Sequence, residues 1–131
     1  IGIAAAAARE AALSGVSFAV VTSTPKLAPS IDKIMRAERG DTYLGCYTTE
    51  DDPLVLASNS DALDYALITS CEIANKAGAK RIIIGGGPLG QAAIRISSQV
   101  KVPLIQPLVA ACREVSALIE HQLPHVQDVY R

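Results

Sequence analysis

Apolar positions along this chain alternate between two kinds of spacing. Residues 82–84 are three consecutive isoleucines with no polar face, which marks a strand buried on both sides, as in parallel sheets. Residues 16–21 read as another strand, 102–105 as a short one, and 42–48 as a weaker one interrupted by Gly45. Residues 1–3 read as the end of another strand. Between these runs the apolar residues recur every three to four positions. Ile31, Ile34 and Met35 form one such stripe, and Leu63, Leu67 and Ala74 another. The spacing predicts helices over 4–14, 29–39, 58–76, 89–100 and 107–122, with residues 58–60 offering an N-cap to the third and Ser58 with Asp61 suiting a capping arrangement. Gly15, Gly40, Gly78 and Pro124 stop four of them. Residues 49–53 read as a loop, and 125–131 as a polar tail. The order βαβαβαβαβα predicts one α/β domain over 1–131, a parallel sheet with helices on both faces, closed by a helix and tail over 107–131.

The isoleucine strand runs directly into Gly85, Gly86, Gly87, Pro88, Leu89 and Gly90. Glycines allow a tight turn with exposed backbone, and proline suits the first turn of a helix. Open α/β sheets bind ligands beyond the carboxyl ends of their strands. Here those ends carry Thr22 and Ser23, then Thr48, Thr49 and Glu50, then the glycines, then Gln106. Hydroxyls, backbone amides and one carboxylate suit a small anionic or carbonyl-bearing ligand. Thr22, Ser23, Gly85, Gly86 and Gly87 are therefore the candidate binding residues. The plainer reading of Thr22, Ser23 and Thr24 is turn and capping chemistry.

Composition narrows the class. The chain has 131 residues, half of them apolar, with a formal net charge of −1, no Trp and one Phe. A nucleic-acid surface would need a basic excess and stacking aromatics, so no nucleic-acid partner is expected. No apolar run approaches the roughly 20 residues that cross a bilayer, so no membrane association is expected either. Cys46, Cys71 and Cys112 are odd in number and form no CxxC pair, which points to a reducing, cytoplasmic setting, with each thiol read as a small buried hydrophobe. The apolar residues 4–8 are cut short by Arg9 and Glu10 with no basic segment ahead, unlike a secretory signal. The abrupt start reads as if further sequence preceded it.

Gly85, Gly87 and Gly90 fit G-x-G-x-x-G literally. A dinucleotide site wants an acidic residue about 20 positions on; Gln106 stands there, which weighs against nucleotide binding. His121 and His125 are separated by Pro124, and no further ligand completes a metal set. No metal or other cofactor is expected.

Five segments, taken in order, resemble landmarks of the Asp/Glu/hydantoin racemase superfamily, in its hydantoin and allantoin racemase branch. They are Ile1-Gly2-Ile3-Ala4, Phe18-Ala19-Val20-Val21-Thr22-Ser23-Thr24-Pro25, Asp51-Asp52-Pro53-Leu54-Val55-Leu56, Ile82-Ile83-Ile84-Gly85-Gly86-Gly87 and Val102-Pro103-Leu104-Ile105-Gln106-Pro107. The resemblance implies the second half of a two-domain racemase-like fold, with the active site between halves and one catalytic thiol contributed from upstream. It implies cofactor-independent racemase or isomerase chemistry on a small amino-acid-like or cyclic-amide substrate. One thiolate removes a proton beside a carbonyl and a second thiol returns it on the opposite face. The second cysteine falls on Gly86, which carries no acid or base, and a glutamate common after the opening Ile-Gly-Ile-Ala is Ala5. Thr22 and Ser23 match the hydroxyl pair that holds a carboxylate or ring carbonyl. The catalytic residues are thus left open: a one-base reaction at an upstream thiol, or a catalytically inactive small-anion-binding or assembly paralogue. Cys46 lies within a strand rather than past its end and is a poor substitute; Cys71 and Cys112, on helices, are worse. A surface that meets the other half would be exposed here, so a homo-oligomer is expected.

Overall fold

The computed structural model describes residues 2–13, 15–85 and 89–129, with side chains through residue 120. Four parallel strands form one sheet: β1 (Phe18–Thr22), β2 (Tyr43–Thr48), β3 (Arg81–Ile84) and β4 (Leu104–Ile105), in the order β2-β1-β3-β4. Among the described residues six α-helices accompany them: α1 (Ile3–Ala11), α2 (Ala28–Arg39), α3 (Pro53–Ser58), α4 (Ser60–Lys76), α5 (Gly90–Ile96) and α6 (Pro107–Val129). Strand side chains alternate between two cores, as the pleat requires. Ala19, Val21, Ile82 and Ile84 pack against Leu67, Cys71 and Ala74 of α4 and Ala92, Ala93 and Ile96 of α5. Phe18, Val20, Ile83 and Ile105 face the other way, onto α1, Met35 of α2 and Ala110 of α6. Both faces of the sheet are covered, which is why the strands read as unbroken apolar runs.

Helix α1 lies between α2 and α6 and against β3. Ala6, Ala7, Ala8 and Ala11 are fully buried there; with no side chain beyond Cβ, a helix can approach sheet and neighbours closely. Arg9 ties the three helices together. Its guanidinium donates to Glu114 of α6 at 2.6 and 2.8 Å and to Glu38 of α2 at 3.2 Å. Arg113 of α6 donates to the Glu10 carboxylate at 2.7 Å, and Arg81 to the Glu10 carbonyl at 3.0 Å.

Both sheet edges are irregular. β4 has two residues. In β2 the register with β1 shifts between Phe18↔Tyr43 and Val20↔Cys46, around Gly45 at φ 147°. That is a bulge at a position only glycine occupies readily.

Several expectations are corrected. Ile3 starts α1 rather than ending a strand, while Ile1 and Ser14 lie outside the described residues. The loop assigned over 49–53 gives way at Pro53 to α3, whose first turn is capped by Asp52 accepting from the Leu54 amide at 2.8 Å. Within the expected cap segment 58–60 it is Asn59, rather than Ser58 with Asp61, that caps α4, accepting from the Ala62 amide at 3.1 Å. Helix α5 tightens into a 3₁₀ turn over Ser97–Gln99. Helix α6 runs through Pro124 to Val129 rather than stopping near 122. Proline's fixed φ is itself helical, so the residue removes one hydrogen bond without forcing the chain to turn. Cys71 is buried as expected, but Cys46 is half-buried and Cys112 is exposed.

Candidate functional site at the carboxyl ends of the strands

The strand order makes β1 and β3 the pair from which the chain connections run in opposite directions across the sheet. From β1 the chain passes through α2, on one face, to β2; from β3 it passes through α5, on the other face, to β4. The crevice beyond the carboxyl ends of such a pair is where open α/β sheets bind ligands. Register brings candidate residues together there. Val21 pairs with Ile84, and the Gly85 amide donates to the Val21 carbonyl at 2.9 Å, so Thr22 and Gly85 are next in step. On its other side Thr22 pairs with Thr48, and the Thr49 amide donates to the Thr22 carbonyl at 3.1 Å.

Thr22 is fully buried and Ser23 nearly so. The Thr22 Oγ1 accepts from the Thr24 amide at 3.2 Å, the local turn chemistry that hydroxyl residues favour at strand ends. This occupies the oxygen as acceptor and leaves its hydrogen to give. A Thr22 hydroxyl held this way can still donate to a carboxylate or carbonyl oxygen. The Gly85 amide cannot, because the sheet has taken it; the expectation of a bare amide fails at that residue. Gly86 and Gly87 lie outside the described residues. Thr49, at the end of β2, is buried with no hydrogen-bond partner for its Oγ1 among the described residues. The sequence placed Thr49 on the rim but gave no sign that its hydroxyl would be left over.

A hollow of about 520 Å³ opens beside this crevice, on the α1–α2–α6 face. Val20, Ile83 and Met35 lie deepest in the core around it, and the starts of α1, α2 and α6 form its walls. The helical stripe of Ile31, Ile34 and Met35 was legible in the sequence; that all three line a hollow was not. Gln106, expected on the rim, reaches the start of α5, where a Cβ on Gly90 would stand 3.3 Å from the Gln106 Oε1.

The thiols are poorly suited to proton transfer. Burial, reinforced by Asp32, pushes the Cys46 thiol up to about 11. Burial, reinforced by Glu72, pushes Cys71 up to about 12. Cys46 sits within β2, opposite Val20, and not on the rim. Behind it, Tyr43 donates its hydroxyl to Asp32, packs at a tilt of 43° against Phe18 with ring centres 5.5 Å apart, and lies under the Arg36 guanidinium at 5.2 Å. Burial and that carboxylate raise the Tyr43 phenol well above its ordinary range. This cluster braces α2 against β2 away from the crevice. Among the described residues no helix is long and apolar enough to cross a membrane.

Comparison with known proteins agrees with this architecture. No match is found among curated proteins. Among solved structures the chain is similar to an allantoin racemase from Pseudomonas fluorescens, with a TM-score of 0.79 and 24% identity over 90% of this chain and 51% of that one. It is also similar to an allantoin racemase from Klebsiella pneumoniae, with a TM-score of 0.76 and 24% identity over 92% of this chain and 50% of that one. The chain therefore spans about half the length of these structures, and they show a shared fold. The sequence profile described as Asp/Glu/Hydantoin racemase matches residues 1–115. With most of its length matched and the sheet, its helices and its strand-end crevice in place, this chain belongs to the Asp/Glu/hydantoin racemase family.

Proposed function

We propose that this chain supplies one side of a racemase- or isomerase-like site, holding a small amino-acid-like or cyclic-amide compound at the β1/β3 crevice. The observation that carries this is the register placing Thr22 beside Gly85 at the point where the chain connections diverge. Thr22 and Ser23 orient a carboxylate or ring carbonyl, with Gly86 and Gly87 as the neighbouring backbone. The donated hydrogen bond stabilises the negative charge that develops on the oxygen as the adjacent carbon loses its proton. Gly86 stands where the family places a second thiol, so proton removal and return fall to a single base outside these residues. No cofactor is required for that chemistry. The reading includes a cytoplasmic setting, supported by three unpaired cysteines, and self-association that covers the rim. Its test is exchange in D₂O, followed by NMR, of the acidic carbon of hydantoins, allantoin and free amino acids. Incorporation of deuterium is expected; no exchange with any of them would overturn the catalytic reading.

A second reading, an inactive paralogue that binds small anions, is favoured by a specific feature: Gly86 offers no proton carrier and the Cys46 and Cys71 thiols are pushed far from neutral pH. It expects thermal stabilisation by such compounds without turnover, and loss of that stabilisation in Thr22→Val.

A further inference from the structure

A second hollow, of about 300 Å³, opens at the other end of the sheet. Helix α4 closes just before β3 begins, and residues 99–101 lead into β4. The hollow between them therefore lies at the amino ends of these strands, whereas the crevice lies at the carboxyl ends. Fully buried Cys71 and half-buried Val100 are its apolar part. Glu72, Asn75 and Lys76 reach it from one face of α4, at the three- and four-residue spacings that make helical neighbours. Gln99 and Lys101 reach it from the connection into β4.

The charges on this wall are not matched with one another. Glu72 precedes Lys76 by four positions, the order and spacing that favour an ion pair along a helix. Yet neither Glu72, Lys76 nor Lys101 takes part in an ion pair among the described residues. Asn75 donates its amide hydrogen to the Ala79 carbonyl at 3.1 Å, which leaves its Oδ1 as an acceptor. The hollow thus offers two cations, one carboxylate and one amide oxygen.

That set selects among ligand classes. A simple anion would use the lysines alone, and would stand beside the carboxyl end of a 17-residue helix, the end that carries negative partial charge. A simple cation would meet both lysines. A molecule carrying both charges a few ångströms apart satisfies the whole wall. Its carboxylate accepts from Lys76 and Lys101, and its ammonium donates to Glu72 and the Asn75 oxygen near the negative helix end. The volume stands at the lower limit for ligand sites, roughly 300 Å³, so the ligand has few atoms. Cys71 and Val100 give a short apolar side chain something to rest on.

We infer that this hollow binds a small zwitterionic α-amino acid, at a site separate from the β1/β3 crevice and independent of what the crevice holds. The test is two-dimensional NMR of the ¹⁵N-labelled protein titrated with L-alanine, acetate, ethylamine and inorganic phosphate. L-Alanine is expected to shift the backbone amides of residues 72–76 and 99–101 saturably, with a Kd on the order of millimolar for so small a ligand. Acetate and ethylamine each lack one charge and should bind at least about threefold more weakly, the contribution of one exposed ion pair. Lys101→Gln and Glu72→Gln alter exposed side chains and leave the core untouched. Lys101→Gln should weaken alanine and acetate about threefold, and Glu72→Gln should weaken alanine and ethylamine by as much. No saturable shift at 72–76 or 99–101 would overturn the site, as would variants that bind alanine unchanged. Acetate or phosphate binding as tightly as alanine would overturn the zwitterion assignment. Shifts at Thr22 and Ser23 report on the crevice alone, so the two readings fail separately.

Discussion

Thr22 does two jobs with one oxygen. Its lone pair accepts from the Thr24 amide, and its hydrogen is left for the ligand proposed above. Thr22→Val should lower unfolding stability by about 1 kcal/mol in a urea melt, and weaken binding of a crevice ligand about tenfold. Gly85 is constrained differently. Its backbone is unremarkable, but a Cβ there would lie 3.1 Å from Val20 Cγ1 and 3.6 Å from Ile31 Cδ1. Gly85→Ala must push the Val20 side chain aside by a few tenths of an ångström, with the new methyl in ordinary contact with Ile31, on the wall of the hollow. A loss of about 1–2 kcal/mol in thermal or urea unfolding is expected. The sequence singled out Thr22 and Gly85 as candidate binding residues, and the register sets them side by side. It could not show that the sheet uses the Gly85 amide, because a ladder bond extending one residue past a strand depends on the partner's register.

Elements whose identity depends on local chemistry were readable; those depending on context were not. The isoleucine strand and the α2 and α4 stripes follow from periodicity alone. Helix α3 was hidden in an acidic segment, although Asp52 followed by Pro53 is a good start signal for a short helix. Ile3 looked like a strand because β-branched residues favour one; the alanines that follow, and the close packing they permit, made it helical instead. Between elements, Arg9 is the main tie. The Arg9 guanidinium, chiefly through its hydrogen bonds to Glu114, holds that carboxyl below its ordinary range. A depressed carboxyl contributes stability that is present above its unfolded value of 4.5 and is lost as pH falls below it. Arg9→Met should therefore flatten the acid side of the stability profile. Hydrogen exchange followed by mass spectrometry should show faster exchange in α6 than in α4.

For the molecule as a whole, three buried protons set the alkaline limit. The Cys46, Cys71 and Tyr43 groups all have raised values, led in each case by burial. A raised group contributes stability that is complete below its unfolded value, 9.0 for the thiols, and is lost as pH rises toward the folded one. Calorimetry from pH 8 to 11 should show Tm falling from about pH 9 upward, and Cys71→Ala should make that fall shallower. In the native protein a thiol reagent should modify the exposed Cys112 first and Cys71 only on unfolding. Light scattering should find an assembly larger than the monomer; a well-behaved monomer would remove self-association from the proposed function.

The bulge at Gly45 and the shortness of β4 bear on what form that assembly takes. A long flat edge invites another chain to hydrogen-bond to it and extend the sheet. Here one border strand is kinked by a left-handed glycine, and the opposite one is only two residues long. Neither offers a straight row of amides and carbonyls, so copies that join must do so through side chains. Open-ended growth by strand addition, which would leave a fresh border for each next copy, is disfavoured by both edges.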